Sequence, residues 1–360
     1  MKPCCFVLGL LACSLICFAE IGRIPGETLV KPVFDGSDLV CYGYVEAITI
    51  TRGEMTSDEY GNTFSPDVMR AEVKVVDVFK GQPNPSRKIA VQDLHKTAAG
   101  MQPFSLLQKG AGYVLFLTAN SSRIYGLADP SIGAVRLAKV GQHTSGMGLA
   151  KLESALTITI LGSDRNDRVT ALRLLQGFGS LDQKTITAVD PLCDSPDPDL
   201  AFTALAILVK TKTPESVARL ASRLAKGKND QQTFAVISIG PELAQVHDER
   251  ALSAMEQLTD SRIVSIRDGA MQSLRAIRSP KSAPTLIRKL DDSDALIQYQ
   301  AVITLAEIFD KKNQQFAPTI PTFNQSPRKY IEAWKKWWDE EGQNLVPAKN
   351  FDHVIQDVIS

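Results

Sequence analysis

The feature that most constrains this chain is a helical pattern that returns across its C-terminal half at the spacing of one solenoid repeat. Four segments, Thr185-Ala188-Val189-Leu192, Val217-Leu220-Ala221-Leu224, Ala251-Ala254-Met255-Leu258 and Ala283-Leu286-Ile287-Leu290, each place residues at i, i+3, i+4 and i+7. Their last members (192, 224, 258 and 290) are 32, 34 and 32 residues apart. An amphipathic helix recurring at that step predicts stacked helix pairs, because a single pair cannot bury its own apolar face.

The partner helices repeat as well. Ala171 and Leu175, Ala204 and Leu208, Ala270 and Leu274, and Ala301 and Leu305 occupy equivalent places, and Asp194, Asp260 and Asp291 each stand ten residues before their alanine. Small residues at these sites let two helices approach closely. Thr213-Pro214 is an N-cap followed by proline at the first helical position, and Gly227 is a natural stop. Near Ile237 the repeat is imperfect, because Gly240-Pro241 breaks its first helix. Leu208, Leu220, Leu274, Leu286 and Leu305 are the expected core. The array ends at a helix opened by Ser326-Pro327, with Tyr330, Trp334, Trp337 and Trp338 on one face and Gly342 after it. An open stack needs an atypical end unit, so this face reads as a cap; the alternative is an aromatic platform for a sugar or peptide.

The N-terminal half has a different period. Residues 38–50 read as a strand. Ala71, Val73 and Val75 alternate with Arg70, Glu72 and Lys74, the pattern of a half-buried strand ended by Phe79-Lys80-Gly81. Residues 89–94 form a third strand. Gly110-Ala111-Gly112 is a turn before 113–118, which is apolar on both sides and so central; 124–128 and 134–137 complete the set. Short strands divided by Gly, Pro and Asn predict a small barrel or sandwich. Residues 141–148, rich in Gly, Ser and Thr, read as a flexible connection, and 149–161 as the start of the helical half.

The first residues read as a targeting segment. Lys2 precedes an almost wholly apolar run from 4 to 18, and Cys17-Phe18-Ala19 offers small residues before a cut ahead of Glu20, the grammar of a secretory signal peptide. The run is shorter than the ~20 residues of a spanning helix. Leu10-Leu11-Ala12-Cys13 resembles a lipobox, and acylation of Cys13 would anchor the chain to a membrane. Removal after Ala19 reduces six cysteines to two, Cys41 and Cys193, in different halves of the chain. An exported protein with two distant cysteines is not stapled by disulfides, and Cys41 reads as a small buried hydrophobe.

Catalytic signatures are sparse. His95, His143, His247 and His353 are far apart and fit no metal-ligand spacing. Neither a nucleophile elbow nor a phosphate loop occurs, and Gly110-Ala111-Gly112 precedes a strand, so it is no dinucleotide cradle. Asp291, Asp292 and Asp294 hint at a calcium loop without the remaining ligands, and read as a solvated repeat turn. Asp339-Glu340-Glu341 reads as solvated surface, although acid at a helix C-terminus opposes the dipole. Lys plus Arg equals Asp plus Glu at 40 each, which argues against a nucleic-acid partner.

Two resemblances follow from these residues. Asp38-Leu39-Val40, Tyr60-Gly61-Asn62, the stretch 71–81 and Gly112-Tyr113-Val114-Leu115-Phe116 resemble the netrin-like module, the OB-type barrel of the tissue inhibitors of metalloproteinases. That family is held by disulfides and inhibits through an N-terminal cysteine that chelates the protease metal. Here only Cys41 remains in the region and Glu20 would come first, which puts that mechanism in doubt. Residues 160–342 resemble HEAT repeats, in particular the short kind named after phycobilin lyases. Lyase relatives act on bilins, and nothing outside the repeats here supports that chemistry.

The expected organisation is a signal peptide at 1–19, an OB-like barrel at 28–140, a linker at 141–148, a HEAT-like α-solenoid at 149–342 with a Trp-rich capping helix, and a tail at 343–360. The expected function is an exported, bacterial, non-catalytic scaffold that binds a protein or peptide partner, periplasmic or extracellular, with no cofactor, no metal, no catalytic residue and no assigned binding residue. The alternatives are a metalloprotease-directed module, and a lyase or hydrolase with a site at the domain junction, which would need a pocket of paired ionisable groups with shifted pKa values.

Overall fold

A computed structural model describes residues 30–57, 63–98, 107–121, 124–129, 132–141, 146–226 and 238–346. The expected signal peptide with Cys13, the Tyr60-Gly61-Asn62 motif, His143, Gly227, Ile237 and His353 lie outside the described residues, as does the side chain of His95. The chain divides into two compact units, 1–207 and 208–360.

The first unit opens with helix α1 (Val30–Gly36) and holds strands β1 (Leu39–Thr51), β2 (Thr56–Ser57), β3 (Thr63–Lys80), β4 (Lys88–Ala98), β5 (Gly112–Ser121), β6 (Ile124–Leu127) and β7 (Ala134–Arg136). β1 pairs antiparallel with β3 on one side and β5 on the other, so the path β1-β3-β4-β6-β5 closes into a five-stranded OB-like barrel. Cys41 stands opposite both Val78 and Leu115. β4 and β6 run parallel, and β2 and β7 attach to β3 and β5. The period-2 reading holds along β3: Ala71, Val73 and Val75 are buried and Arg70, Glu72 and Lys74 exposed. Their partners inside the barrel include Leu39, Cys41, Val45, Val91, Leu115 and Leu117. β5 is buried on both faces, Val114 and Phe116 included, because α1 packs on it with Val30 and Phe34 inward. That accounts for its unbroken apolar run.

Helices α2 (Leu149–Ile160), α3 (Arg165–Gln176), α4 (Gln183–Val189) and α5 (Pro198–Val209) follow. Asp164 and Asp182 cap α3 and α4 by accepting the Asp167 and Thr185 N–H groups. α2 and α3 are fastened to the barrel. The Lys151 ammonium reaches Asp77 Oδ1 at 2.6 Å and the Val78 carbonyl at 2.9 Å, and the Ala138 and Lys139 N–H groups donate to Asp167 at 2.7 and 2.9 Å. The stretch read as flexible is anchored at its described ends: Gly141 N–H donates to Thr159 and Gly148 N–H to the Phe79 carbonyl.

The second unit carries α6 (Pro214–Lys226), α7 (Ile239–Leu243), α8 (Leu252–Leu258), α9 (Val264–Ile277), α10 (Ala283–Lys289), α11 (Ala295–Ile308), α12 (Ile320–Gln325) and α13 (Pro327–Glu340). Thr213 Oγ1 accepts the Ser216 N–H, so the Thr-Pro start of α6 is as expected. First helices α7, α9 and α11 pack on one another, and so do second helices α6 and α8. The five leucines named above are buried, and the repeated alanines 171, 204, 270 and 301 are fully so. Polar contacts recur at the repeat step. Arg165–Asp197 in the first unit, and Lys210–Glu242, Glu249–Lys281, Asp268–Gln300 and Arg275–Glu307 in the second, are each 32 residues apart. Such pairs tie each repeat to the next in a stack. The turns also repeat, since Lys212, Arg278 and Asp310 all take φ between 52° and 56° after their first helices.

Gly240-Pro241 lies in the first turn of α7, where a missing N–H costs no hydrogen bond; residues 227–237, on its N-terminal side, lie outside the described residues. Gly240 is there for contact. A Cβ on Gly269 of α9 would lie 2.8 Å from the Gly240 carbonyl carbon and nearer still to its oxygen, so the two helices meet backbone to backbone.

The array ends in the expected Trp-rich cluster. Tyr330, Trp334 and Trp337 are buried. Trp334 donates its indole N–H to the Phe316 carbonyl at 3.0 Å, and its ring centroid lies 4.7 Å from that of Phe316, tilted, and 5.2 Å from that of Trp337, edge to face. α13 packs on α10 and α11. Rings used in this way cover an apolar end, and only Trp338 of the three tryptophans is part-exposed. Glu341 is exposed, as expected, and also accepts the Trp337 indole N–H at 2.8 Å, which gives the acid at this helix end a structural reason.

Candidate functional site

The packed first helices of the second unit leave a shallow groove of about 430 Å3. Ala244 past α7, Gln272, Arg275, Ala276 and Arg278 on α9, and Glu307 on α11 line it. Helical spacing puts Gln272, Arg275 and Ala276 on one exposed face of α9, while Met271 and Leu274 point into the core. Arg278 ends α9 in the left-handed conformation, and Glu307 stands one repeat beyond Arg275.

Charge organises this groove. Arg275 Nε donates to Glu307 Oε1 at 2.9 Å and Arg278 Nη2 to Glu307 Oε2 at 3.5 Å. The Arg275 hydrogen bond holds the Glu307 carboxyl below its ordinary range against the opposing effect of burial, and Arg278 and Lys312 add to the lowering. Below the groove Asp268 accepts from Gln272 at 3.0 Å and from Gln300. Gln300 Oε1 and Thr304 Oγ1, on the same stripe of α11 as Glu307, have no hydrogen-bond partner among the described residues. Of these groups, the guanidinium N–H groups of Arg275 and Arg278 face the groove and can donate to a polar or anionic chain. The lining holds no Ser, Cys, His or Lys that could act as nucleophile or base.

A second cavity, of about 420 Å3, lies within the first unit between residues 138–141 and helices α2 and α3. Its carboxylates are Asp164 and Asp167, and both accept backbone N–H groups: Asp164 caps α3, and Asp167 fixes Ala138 and Lys139. They hold the backbone of the cavity wall in place.

Other residues singled out from sequence have structural partners. Burial pushes the Cys41 thiol up to about 12, and Cys193 is also buried. The Tyr42 phenol is driven well up by burial and by Tyr44, and donates to the Ala138 carbonyl at 2.7 Å. Asp291 pairs with Lys335 at 2.6 Å, Asp292 with Arg267 at 3.2 Å, and Asp294 caps α11. His247 lies 3.3 Å from the Ala244 carbonyl oxygen. Among the described residues no group of three His, Cys, Asp or Glu could hold a metal, and no helix is long and apolar enough to cross a membrane.

The sequence assigned no binding residue, and Arg275, Arg278 and Glu307 were not singled out in it. A signal was present: opposite charges one repeat apart, on positions outside the apolar stripe.

No family model matches the chain, and no curated protein matches it. Among solved structures, two crystal structures of engineered proteins from the Northeast Structural Genomics Consortium are similar over 51% of this chain, each at 15% identity and a TM-score of 0.35. The similarity covers 96% of one of those chains and 58% of the other.

Proposed function

We propose that this protein is a non-catalytic interaction scaffold whose HEAT-like helical repeats hold a protein or peptide partner along the first-helix row of the second unit. The observation that carries this reading is the open groove across α9 and α11, where Arg275, Arg278, Glu307 and Gln272 stand beside Ala244 and Ala276. Stacked helix pairs expose such faces repeatedly, and recognition surfaces of repeat proteins are built from them. In the same reading the chain is exported, residues 1–19 are removed, and the barrel supplies a second contact surface. Mass spectrometry of the mature N-terminus checks the export step: a chain beginning at Glu20 is expected, whereas an acylated Cys13 would place it at a membrane.

The test of binding is site-specific photocrosslinking in the native host. A photoreactive residue at Gln272, in the groove, should give one defined adduct. The same residue at Arg288, exposed on second helix α10, should not. No adduct from Gln272 under several growth conditions, or equal adducts from both positions, would contradict the reading.

A further inference from the structure

Resting on the scaffold reading, we infer that the groove across α9 and α11 seats the side-chain carboxylates of an acidic peptide, with Arg275 and Arg278 as their ligands and Glu307 as the resident carboxylate that competes for them. Exposure separates the two signs of charge. The side chains of Arg275 and Arg278 are 46% and 65% exposed, and that of Glu307 only 18%. The cations therefore face the open groove and the anion sits behind them. A guanidinium carries five N–H donors in a planar fork. Arg275 spends two of its N–H bonds on Glu307, and Arg278 makes one long contact to the same carboxylate. Donors remain for a second carboxylate, which such forks bind in bidentate fashion.

The local balance supports an anion. Arg275, Arg278 and Lys312 stand against Glu307 and Asp310, the latter 3.0 Å from Lys312. Three cations against two carboxylates leave a surplus of one positive charge. The C-terminus of α9 opposes it with roughly half a negative charge, so the surplus is reduced but not cancelled. Asp268 keeps its charge but lies outside the lining, about 10 Å along α9 from Arg275, so it acts on these cations less than Glu307 does. Ala244 and Ala276 leave room for the methylene groups and backbone of a peptide. The attraction is exposed to solvent and must weaken with salt.

The full chain is titrated with a fluorescent peptide of alternating Gly and Glu, and with its Gln counterpart, by anisotropy at low and at physiological ionic strength. At low salt the Glu peptide is expected to bind at least about tenfold more tightly than the Gln peptide, the effect of charge-assisted over neutral pairing. Arg278→Gly should weaken the Glu peptide several-fold. Its unfolding midpoint should be no lower than that of the parent chain, because glycine suits the left-handed position that Arg278 occupies. Glu307→Gln should tighten binding, since it removes the competing anion. Lys281→Gln, which touches Glu249 outside the groove, should change nothing. Equal affinity for the two peptides, indifference to Arg278→Gly, or weaker binding by Glu307→Gln would overturn the assignment. If the groove still photocrosslinks a partner after that failure, the scaffold reading stands with a ligand of other chemistry; if the crosslink fails too, both fall.

Discussion

Replacing Gly269 with Ala tests the backbone contact that sets the spacing of two first helices. In an open helix this change stabilises by about 1 kcal/mol, because glycine loses more conformational freedom on folding. At Gly269 the new methyl would lie 2.8 Å from the Gly240 carbonyl carbon and 3.0 Å from its Cα. Carbon atoms favour about 3.5–4.0 Å, and no rotamer can relieve a clash between backbones. The helices must part by roughly 1 Å, which forfeits about a quarter to a half of the dispersion energy along their seam. Overpacking of this kind costs about 1–3 kcal/mol and occasionally more. With the upper value and the propensity gain set against it, the net loss is about 2 kcal/mol. Urea unfolding read by tryptophan fluorescence is suited to the measurement, because all three tryptophans lie on α13 and report the second unit. With a denaturant slope of about 2 kcal/mol per molar, the midpoint should fall by about 1 M. A midpoint that is unchanged or higher would refute the close crossing and the reason given for Gly240.

Other perturbations have equally definite outcomes. Leu274→Ala empties a fully buried site and should cost about 2–5 kcal/mol in the same assay; a change below ~0.5 kcal/mol is surface behaviour and would mean that the helix register is wrong. Cys41 should not react with a thiol reagent at neutral pH until the first unit unfolds, since burial disfavours its thiolate; rapid labelling of the native chain would contradict its place in the barrel. Glu307 has a folded-state pKa below its ordinary value of 4.5, chiefly through Arg275. A lowered carboxyl stabilises above the unfolded pKa and loses that contribution as pH falls through the folded one. The urea midpoint should therefore hold from neutral pH down to about 5 and drop below 4.5, with a smaller drop in Glu307→Gln; identical profiles would show that the pair is not formed.

Much of the fold was legible because burial leaves a period in sequence. Alternation in Arg70–Val75 marked β3, and alanines one repeat apart marked the helix contacts. The closure of β1 onto β5 was not legible, because strand pairing between residues such as Cys41 and Leu115 leaves no local trace. The contact made by Gly240 was not legible for a physical reason. Both residues are poor in a helix interior, yet the first turn tolerates the proline and the crossing with Gly269 demands the glycine. Asp167 carried no mark of its role, since its partners Ala138 and Lys139 are backbone amides. The groove was hidden by the same logic: exposed charges have no apolar period, and only the step from Arg275 to Glu307 betrays them.

The stacking of helix pairs is tested most directly by a cysteine pair on neighbouring first helices. In a chain produced from Glu20 onward the remaining cysteines, Cys41 and Cys193, are buried, so introduced thiols react selectively. Arg275→Cys with Glu307→Cys should be joined within one molecule by a short bis-maleimide, because the parent side chains are in hydrogen-bond contact. Arg288→Cys with Glu307→Cys should not, because α11 rises about 18 Å between its start beside α10 and residue 307. Efficient linkage of the first pair alone is the result a stack requires; no linkage there, or equal linkage in both, would mean that the repeats are not arranged side by side.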